Sequence, residues 1–284
     1  MRRKLFLWKR AMKIIDCFMY FDEDHLLEIR LNTLFDYVDR FVIVEANIDH
    51  AGNKRIPKFN IKKFEKFSSK IKYLLIDNLP THNKFYKKNW GPSWRRENFQ
   101  RNAMEKGYSD CGPDDIIMIS DLDEIPNPKN IKEFKNSDRI GCFVQKDFLF
   151  KLNFINKTQP HWYGTRICKK KNLKSPQWIR NIKAKKMPFY KFYKPKFDKF
   201  ILNGGWHFSS VKTAEKIYQK LESYAEQKWN NDNYKNLDII KRKMELKQDL
   251  FNRGYEFEVV KIDRSFPEYV YKNPEKFKNF IYFE

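Results

Sequence analysis

The sequence predicts an α/β fold, with a mostly parallel sheet covered by helices. Two observations carry this. From Ile14 to Pro126, short continuous apolar runs alternate with segments whose apolar residues recur at helical spacing. The last of these runs, Ile116-Ile117-Met118-Ile119, then stops abruptly at Ser120-Asp121-Leu122-Asp123-Glu124-Ile125-Pro126. A short, β-branched, non-amphipathic run reads as a buried central strand. Three carboxylates within residues 121–124 repel one another, and that is costly unless a cation sits there. Ligands of open α/β sheets bind in the crevice beyond the strand ends. Asp121 and Asp123 are therefore candidate ligands of a divalent metal that would in turn hold a diphosphate.

The elements follow in order. Ile14 to Met19 is the first strand. Asp24 is placed to cap a helix running to about Phe35, with Leu26, Leu27, Ile29, Leu31 and Leu34 on its apolar face. Phe41 to Glu45 is a second buried strand ending in a carboxylate. Ala46 to Pro57 is loop, with a turn at Ala51-Gly52-Asn53. Ile61 to Phe67 reads as a short helix and Ile71 to Ile76 as a third strand. Asp77 to Trp94 is a long polar and aromatic loop. Trp94 to Lys106 is helical and ends at Gly107. After Pro128 the pattern changes. Ile140 to Phe154 and Trp162 to Cys168 read as strands, and Trp178 to Phe200 is basic, aromatic and broken by Pro188 and Pro195. Thr213 to about Trp229 and Leu237 to Asn252 are helical, with Gly254 ending the second. The tail is aromatic and broken by proline.

Length and composition fit this plan. The 284 residues are 41% hydrophobic with 26 Phe and 15 Tyr, enough for a sizeable core and against disorder. Residues 13–284 read as one domain behind a basic leader, 1–12, for which disorder or a small membrane-surface anchor are the two readings. Cys17, Cys111, Cys142 and Cys168 lie far apart without metal spacing, so buried free thiols in a reducing compartment are expected. No apolar run reaches eighteen residues, so no transmembrane helix is expected.

The net charge of +22 favours anionic partners. It is uneven: Lys169 to Lys199 holds twelve Lys/Arg against one acid, Asp198, which is half of the total. Interleaved with Trp178, Phe189, Tyr190, Phe192, Tyr193 and Phe197, this stretch has the composition of a nucleic-acid or anionic-surface patch. It also has the composition of a plain lysine-rich surface, and no nucleic-acid-reading motif accompanies it.

Other candidates each have two readings. Gly204-Gly205-Trp206-His207 could bring an imidazole to a tight turn as a further Mn²⁺ ligand, or His207 is a hydrogen-bonded core residue. His50, near Gly52, Lys54 and Lys58, could sit beside a phosphate or base, or in an ordinary loop. Arg96 and Arg101 could share a helix face and present forked guanidiniums to a diphosphate, or belong to a solvated basic helix. Asp121-x-Asp123 alone is also what a solvated turn looks like.

Taken together, these pieces resemble glycosyltransferase family 17, the family of the bisecting N-acetylglucosaminyltransferases. The likeness rests on Ile15-Asp16-Cys17-Phe18 with Leu26-Leu27-Glu28-Ile29-Arg30-Leu31, on Val38-Asp39-Arg40-Phe41-Val42-Ile43-Val44-Glu45 with His50-Ala51-Gly52, and on Arg96-Glu97-Asn98-Phe99-Gln100-Arg101-Asn102-Ala103. It continues through Ile119 to Pro126 and Gly205-Trp206-His207-Phe208-Ser209, in order from Ile14 to about Ser210. The resemblance implies a GT-A fold, a UDP-sugar donor such as UDP-GlcNAc, Mn²⁺ or Mg²⁺ at the Asp-x-Asp, and inversion at the anomeric carbon. It implies a nucleotide-sugar half (13–128), an acceptor-side half (129–212) and C-terminal helices and tail (213–284). By motif, Asp121, Asp123 and His207 would serve the metal. Glu45 and His50 would serve the nucleotide, and Arg96 and Arg101 the donor phosphates. Asp147 is the favoured catalytic base, with Glu124 and Glu226 as alternatives. Its 169–199 stretch is more basic than the animal enzymes lead one to expect, and neither a membrane anchor nor a lumenal stem is expected. The expectation is a cytoplasmic microbial or viral enzyme in peripheral contact with an anionic membrane face, acting on a glycan, lipid-linked or anionic acceptor. The rival classes are a basic nucleic-acid-binding protein using residues 169–199 and a non-catalytic glycan-binding relative.

Overall fold

The computed structural model describes residues 12–80, 91–184, 193–223, 229–231 and 233–283. Nearly all of the expected leader, Glu226, and Pro188, Phe189, Tyr190 and Phe192 of the basic stretch lie outside them.

Strands β1 (Ile14–Met19), β2 (Arg40–Ala46), β3 (Ile71–Ile76) and β4 (Ile116–Asp121) are all parallel, in the order β3-β2-β1-β4. β1 is central, with Cys17 paired to Val42 on one side and Ile119 on the other. β1, β2 and β4 are covered on both faces, which is why they are mainly apolar, while β3 is the half-exposed edge strand. On one face, Phe18, Phe41, Ile43 and Met118 pack with Leu27, Leu31 and Leu34 of helix α1 (Asp24–Leu34). On the other, Ile15, Val42, Val44 and Ile117 pack with Met104, in the 3₁₀ turn Ala103–Gly107 that follows α2 (Pro92–Asn102). That turn lies hard against the sheet: a Cβ on Gly107 would come within 2.1 Å of Val42 Cγ1.

The parallel expectation ends at β4. β8 (His161–Lys169) runs antiparallel to β4, and β6 (Ile140–Leu149) antiparallel to β8. β7 (Phe154–Asn156) and β11 (Phe257–Val259) extend the sheet antiparallel beyond β6. β5 (Glu124–Pro126) pairs antiparallel with β10 (Gly205–Ser209), while β10 and β9 (Lys199–Ile201) run parallel to β6. The sheet is therefore mixed. The cause is connection length, since the chain passes from β6 through β7 to β8 without a crossover helix, and short links return a strand antiparallel.

Several expected elements shift. The strand expected over Ile140 to Phe154 divides at Phe150, whose φ is +65°, into β6 and β7. Ile61–Lys70 is 3₁₀ rather than α. Asp24 is the first helical residue and not the cap; it accepts from the Tyr20 hydroxyl at 2.5 Å and pairs with Lys63 at 2.6 Å. Helix α3 (Pro176–Arg180) lies within the basic stretch, and α4 (Ala214–Ser223) and α5 (Leu237–Glu245) follow, the last shorter than its pattern predicts. α6 (Glu268–Lys272) packs on α1. All four cysteines are buried and free. No helix of the described residues is long and apolar enough to cross a membrane.

Candidate functional site

Met19, Ala46 and Asp121, the last residues of β1, β2 and β4, border one cleft of about 510 Å³. Asp123, Asp147, Trp162 and His207 border it too, with Tyr255 and Arg253 from the C-terminal segment.

The acidic loop in this cleft is held by Arg30. Its guanidinium is fully buried and paired with Asp16 of β1, Nη2 to Oδ1 at 2.6 Å and Nε to Oδ2 at 2.8 Å. Nη1 donates to the carbonyls of Asp121, Leu122 and Glu124 at 3.0–3.1 Å, and Nη2 to Ser120 Oγ at 2.5 Å. Thr165 Oγ1 donates to the Glu124 carbonyl at 2.8 Å, and Phe208 N to the Asp123 carbonyl at 2.9 Å. A loop whose carbonyls are all claimed in this way has little freedom to rearrange.

The three carboxylates have separate fates. Asp121 accepts from Arg101 Nη2 at 3.1 Å and from Arg180 Nη2 at 2.8 Å. Burial opposes its charge, but Arg180 and Arg101 override that and hold its carboxyl well below the usual carboxylate range. Glu124 is buried and takes both arms of Arg180 at 2.6 and 2.9 Å, Trp162 Nε1 at 2.7 Å and the Asp121 amide at 3.0 Å. Its pKa is lowered too, with Arg180 outweighing burial and Asp121. Asp123 differs. Among the described residues its carboxylate receives no hydrogen bond, and burial, reinforced by Asp121 and Glu124, raises its pKa.

His207 faces Asp123, with Nε2 at 3.9 Å from Oδ2. Its Nδ1 lies 2.7 Å from Asp147 Oδ1, and Asp147 Oδ2 accepts from Asn156 Nδ2 at 2.9 Å. Burial would lower the imidazole pKa, but Asp147 and Asp123 together raise it above its ordinary value. The β5–β10 pairing puts His207 opposite Glu124 and so beside the loop. It depends on Gly205, whose φ is +123° and where a Cβ would lie 2.2 Å from the Ile125 carbonyl.

The remaining candidates fall elsewhere. Glu45 is fully buried on the opposite face of β2 and does not border the cleft. Its oxygens accept from the amides of Lys58 and Phe59 and from the Tyr73 hydroxyl, and pair with Arg55 at 2.9 Å. Side chains alternate along a strand, so Ala46 takes the cleft position. His50 does border the cleft, and its Nε2 lies 2.9 Å from Gln100 Oε1. Neither Arg96 nor Arg101 borders it. Arg96 is packed under Gly52 and donates to the His50 carbonyl at 3.3 Å, while Arg101 is consumed by Glu97, Gln177 and Asp121. Among the described residues no three His, Cys, Asp or Glu side chains converge as a ready-made metal cage; Asp121, Asp123 and His207 all border the cleft.

With this geometry in view, comparison with known proteins is informative. The sequence profile described as Glycosyltransferase family 17 matches residues 4–281. The chain belongs to glycosyltransferase family 17. It is 25% identical over 236 residues to the β-1,4-mannosyl-glycoprotein 4-β-N-acetylglucosaminyltransferases of Homo sapiens, Rattus norvegicus and Mus musculus. The match covers 74% of this chain and 43% of the human protein, so the chain spans under half of that relative.

In this family 17 chain, sequence reasoning missed three site residues. Arg30 falls on the apolar stripe of α1, in register with Leu26, Leu27, Leu31 and Leu34, and that is its signal. Trp162 was read only as part of a strand. Arg180 had no signal, because it is one of twelve basic residues in the 169–199 stretch. Much of that stretch is spent internally. Lys169 Nζ donates to the Asn136 carbonyl, Lys170 to the carbonyls of Ser109 and Cys111, Lys171 to Asp114, and Lys199 pairs with Glu133. Of these, Lys171 and Lys199 meet an acid, while Lys170 keeps its charge and is anchored to backbone carbonyls.

Proposed function

We propose that this family 17 glycosyltransferase moves a sugar, N-acetylglucosamine in the first instance, from a UDP-sugar to an acceptor hydroxyl, with inversion and with a divalent metal, on a GT-A type framework. The observation that carries the reading is the pair Asp123 and His207, facing each other at the strand ends with Asp147 behind the imidazole. A half-buried carboxylate without a donor among the described residues, and an imidazole fixed by a carboxylate on its far nitrogen, suit a metal such as Mn²⁺. Asp123 and His207 would hold it, leaving positions for water and donor phosphate. When bound, it supplies positive charge to the leaving diphosphate.

The chain's own residues do the rest. Arg180 and Arg101 offset Asp121 and Glu124, so that of the three acids of the loop Asp123 is the one without an arginine partner among the described residues. Arg30 fixes the backbone from which it projects. Lys220, bordering the cleft within electrostatic reach of Asp123, supports the diphosphate. Asp147 borders the cleft and each of its oxygens keeps a second lone pair, so it is the carboxylate that takes the acceptor proton. Glu124, enclosed by four donors, is unsuited to that task.

The test is a thermal-shift experiment with UDP-GlcNAc, with and without Mn²⁺, on the parent, Asp123→Ala and His207→Ala. Stabilisation that requires both ligands in the parent and disappears in the variants is expected. Equal stabilisation without metal, or in Asp123→Ala, would overturn the metal assignment.

A further inference from the structure

The wall of the cleft facing Asp147 is built from the C-terminal segment, and nothing in the donor chemistry uses it. Tyr255 and Arg253 border the cleft there. The Tyr255 hydroxyl donates to Gln159 Oε1 at 2.7 Å, and the Arg253 guanidinium lies 4.5 Å over the Tyr255 ring and 5.2 Å over Phe251. Arg253 is anchored by buried Asp249, Nη2 to Oδ1 at 2.7 Å. Trp162, three residues after Gln159, borders the same cleft, an indole that is 37% exposed and yet held in place. Its N–H is held by buried Glu124, and its ring stacks on His207 with centroids 4.3 Å apart at 16°. Rigid, partly exposed aromatic rings beside planar hydrogen-bonding groups suit the two sides of a pyranose, one edge of C–H groups and a rim of hydroxyls.

Charge narrows the ligand. The protein carries +22, but the described residues bordering the cleft include seven carboxylates against three Lys/Arg. Glu23, Glu97 and Asp121 are neutralised from behind by Lys212, Arg101 and Arg180. At the corner beside Trp162, the Asp147 carboxylate has no Lys or Arg within ion-pair distance among the described residues, whether or not Asp123 and His207 hold a metal. A ligand anion placed there would meet like charge.

We infer that Trp162, Tyr255 and Arg253 form the acceptor subsite, and that it takes an uncharged pyranoside rather than an anionic one. This rests on the transferase reading above, and it replaces the expectation of an anionic acceptor. The basic surplus lies outside the cleft and does not select the sugar.

Saturation-transfer NMR on the full chain, with methyl β-D-glucopyranoside and methyl β-D-glucuronide as matched probes, tests it with and without UDP and Mn²⁺. The neutral glycoside should receive transfer, and the glucuronide should bind about tenfold more weakly. Tyr255→Ala should weaken the neutral probe about fivefold, through loss of the ring, and Tyr255→Phe should leave it unchanged. Arg253→Ala serves if Tyr255→Ala does not fold, with the same expected loss. Equal binding of the two glycosides, no binding of the neutral one under any condition, or full binding in the alanine variants would overturn the subsite. Because the probe needs no donor, the two readings separate. Tyr255-dependent sugar binding without a UDP-GlcNAc shift would reject the donor reading and keep the sugar site, and the reverse pattern would reject the subsite alone.

Discussion

Arg180 carries more of the site than any other residue outside the acidic loop. It bridges Asp121 and Glu124 with three contacts of 2.6–2.9 Å; Glu124 is fully buried and Arg180 nearly so, while Asp121 stays partly exposed at the cleft. Arg180→Met leaves buried Glu124 without its counter-charge, while the partly exposed Asp121 keeps Arg101. Removing one partner from such a pair costs on the order of 3–5 kcal/mol. Urea denaturation should show that loss, and a variant as stable as the parent would mean that the network closes without Arg180. Arg180→Lys should recover only part, because a point charge does not reproduce the fork that spans two carboxylates. The network also shows what single residues reveal in a sequence. Three acids after a strand announced a charge problem. They could not say that two of the three are answered by arginines from α2 and α3, with Arg180 fifty-nine positions from Asp121. Glu45 shows the other limit, for a strand end was legible but the parity that turns Glu45 away from the cleft was not.

Among the elements, the β5–β10 pair places His207. Its closeness depends on Gly205, where any side chain meets backbone rather than a movable group. Gly205→Ala should therefore cost about 2–3 kcal/mol, from a strained positive φ and a displaced strand. It should also remove the Mn²⁺-dependent shift with UDP-GlcNAc. Both are read by denaturation and thermal shift, and parental values in either would reject the close contact. α1 acts in a comparable way through Arg30. Arg30→Met should destabilise by about 3 kcal/mol or more, because Asp16 is left buried without its partner. In the parallel half, β1, β2 and β4 were readable because strands buried on both faces are mainly apolar runs. The second half was less so, since β7, β9 and β11 have only three residues each and take their pairing from distant strands.

For the whole molecule, ion pairs join segments far apart in sequence, and pH reports on them. Burial would raise the Glu23 carboxyl, but Lys212 at 2.9 Å overrides it and holds the pKa at about 2. A depressed acid stabilises the fold above its unfolded value, near 4.3. That contribution is lost as pH falls toward about 2. Its size is on the order of 2–3 kcal/mol. Lys212 is raised in turn, so its share is present below its unfolded pKa and fades at alkaline pH above it. Glu23→Gln should flatten the acid side of the stability profile between about pH 5 and 2. An unchanged acid slope would show that the pair does not couple α1 to the segment before α4.

The ties on the acidic loop also govern when the site comes into being. Residues 120–127 are fastened by Arg30 from upstream, by Thr165 and Arg180 from midway, and by Gly204 and Phe208 from far downstream. During synthesis the loop cannot be complete until the ribosome has passed Phe208. In the finished protein it cannot open without releasing β1, β8 and β10 together. The amides of Asp121 and Asn127, bound to Glu124 Oε2 and to the Gly204 carbonyl, should accordingly exchange with deuterium only through global unfolding, at the slowest rate the protein shows, although they sit beside an open cleft.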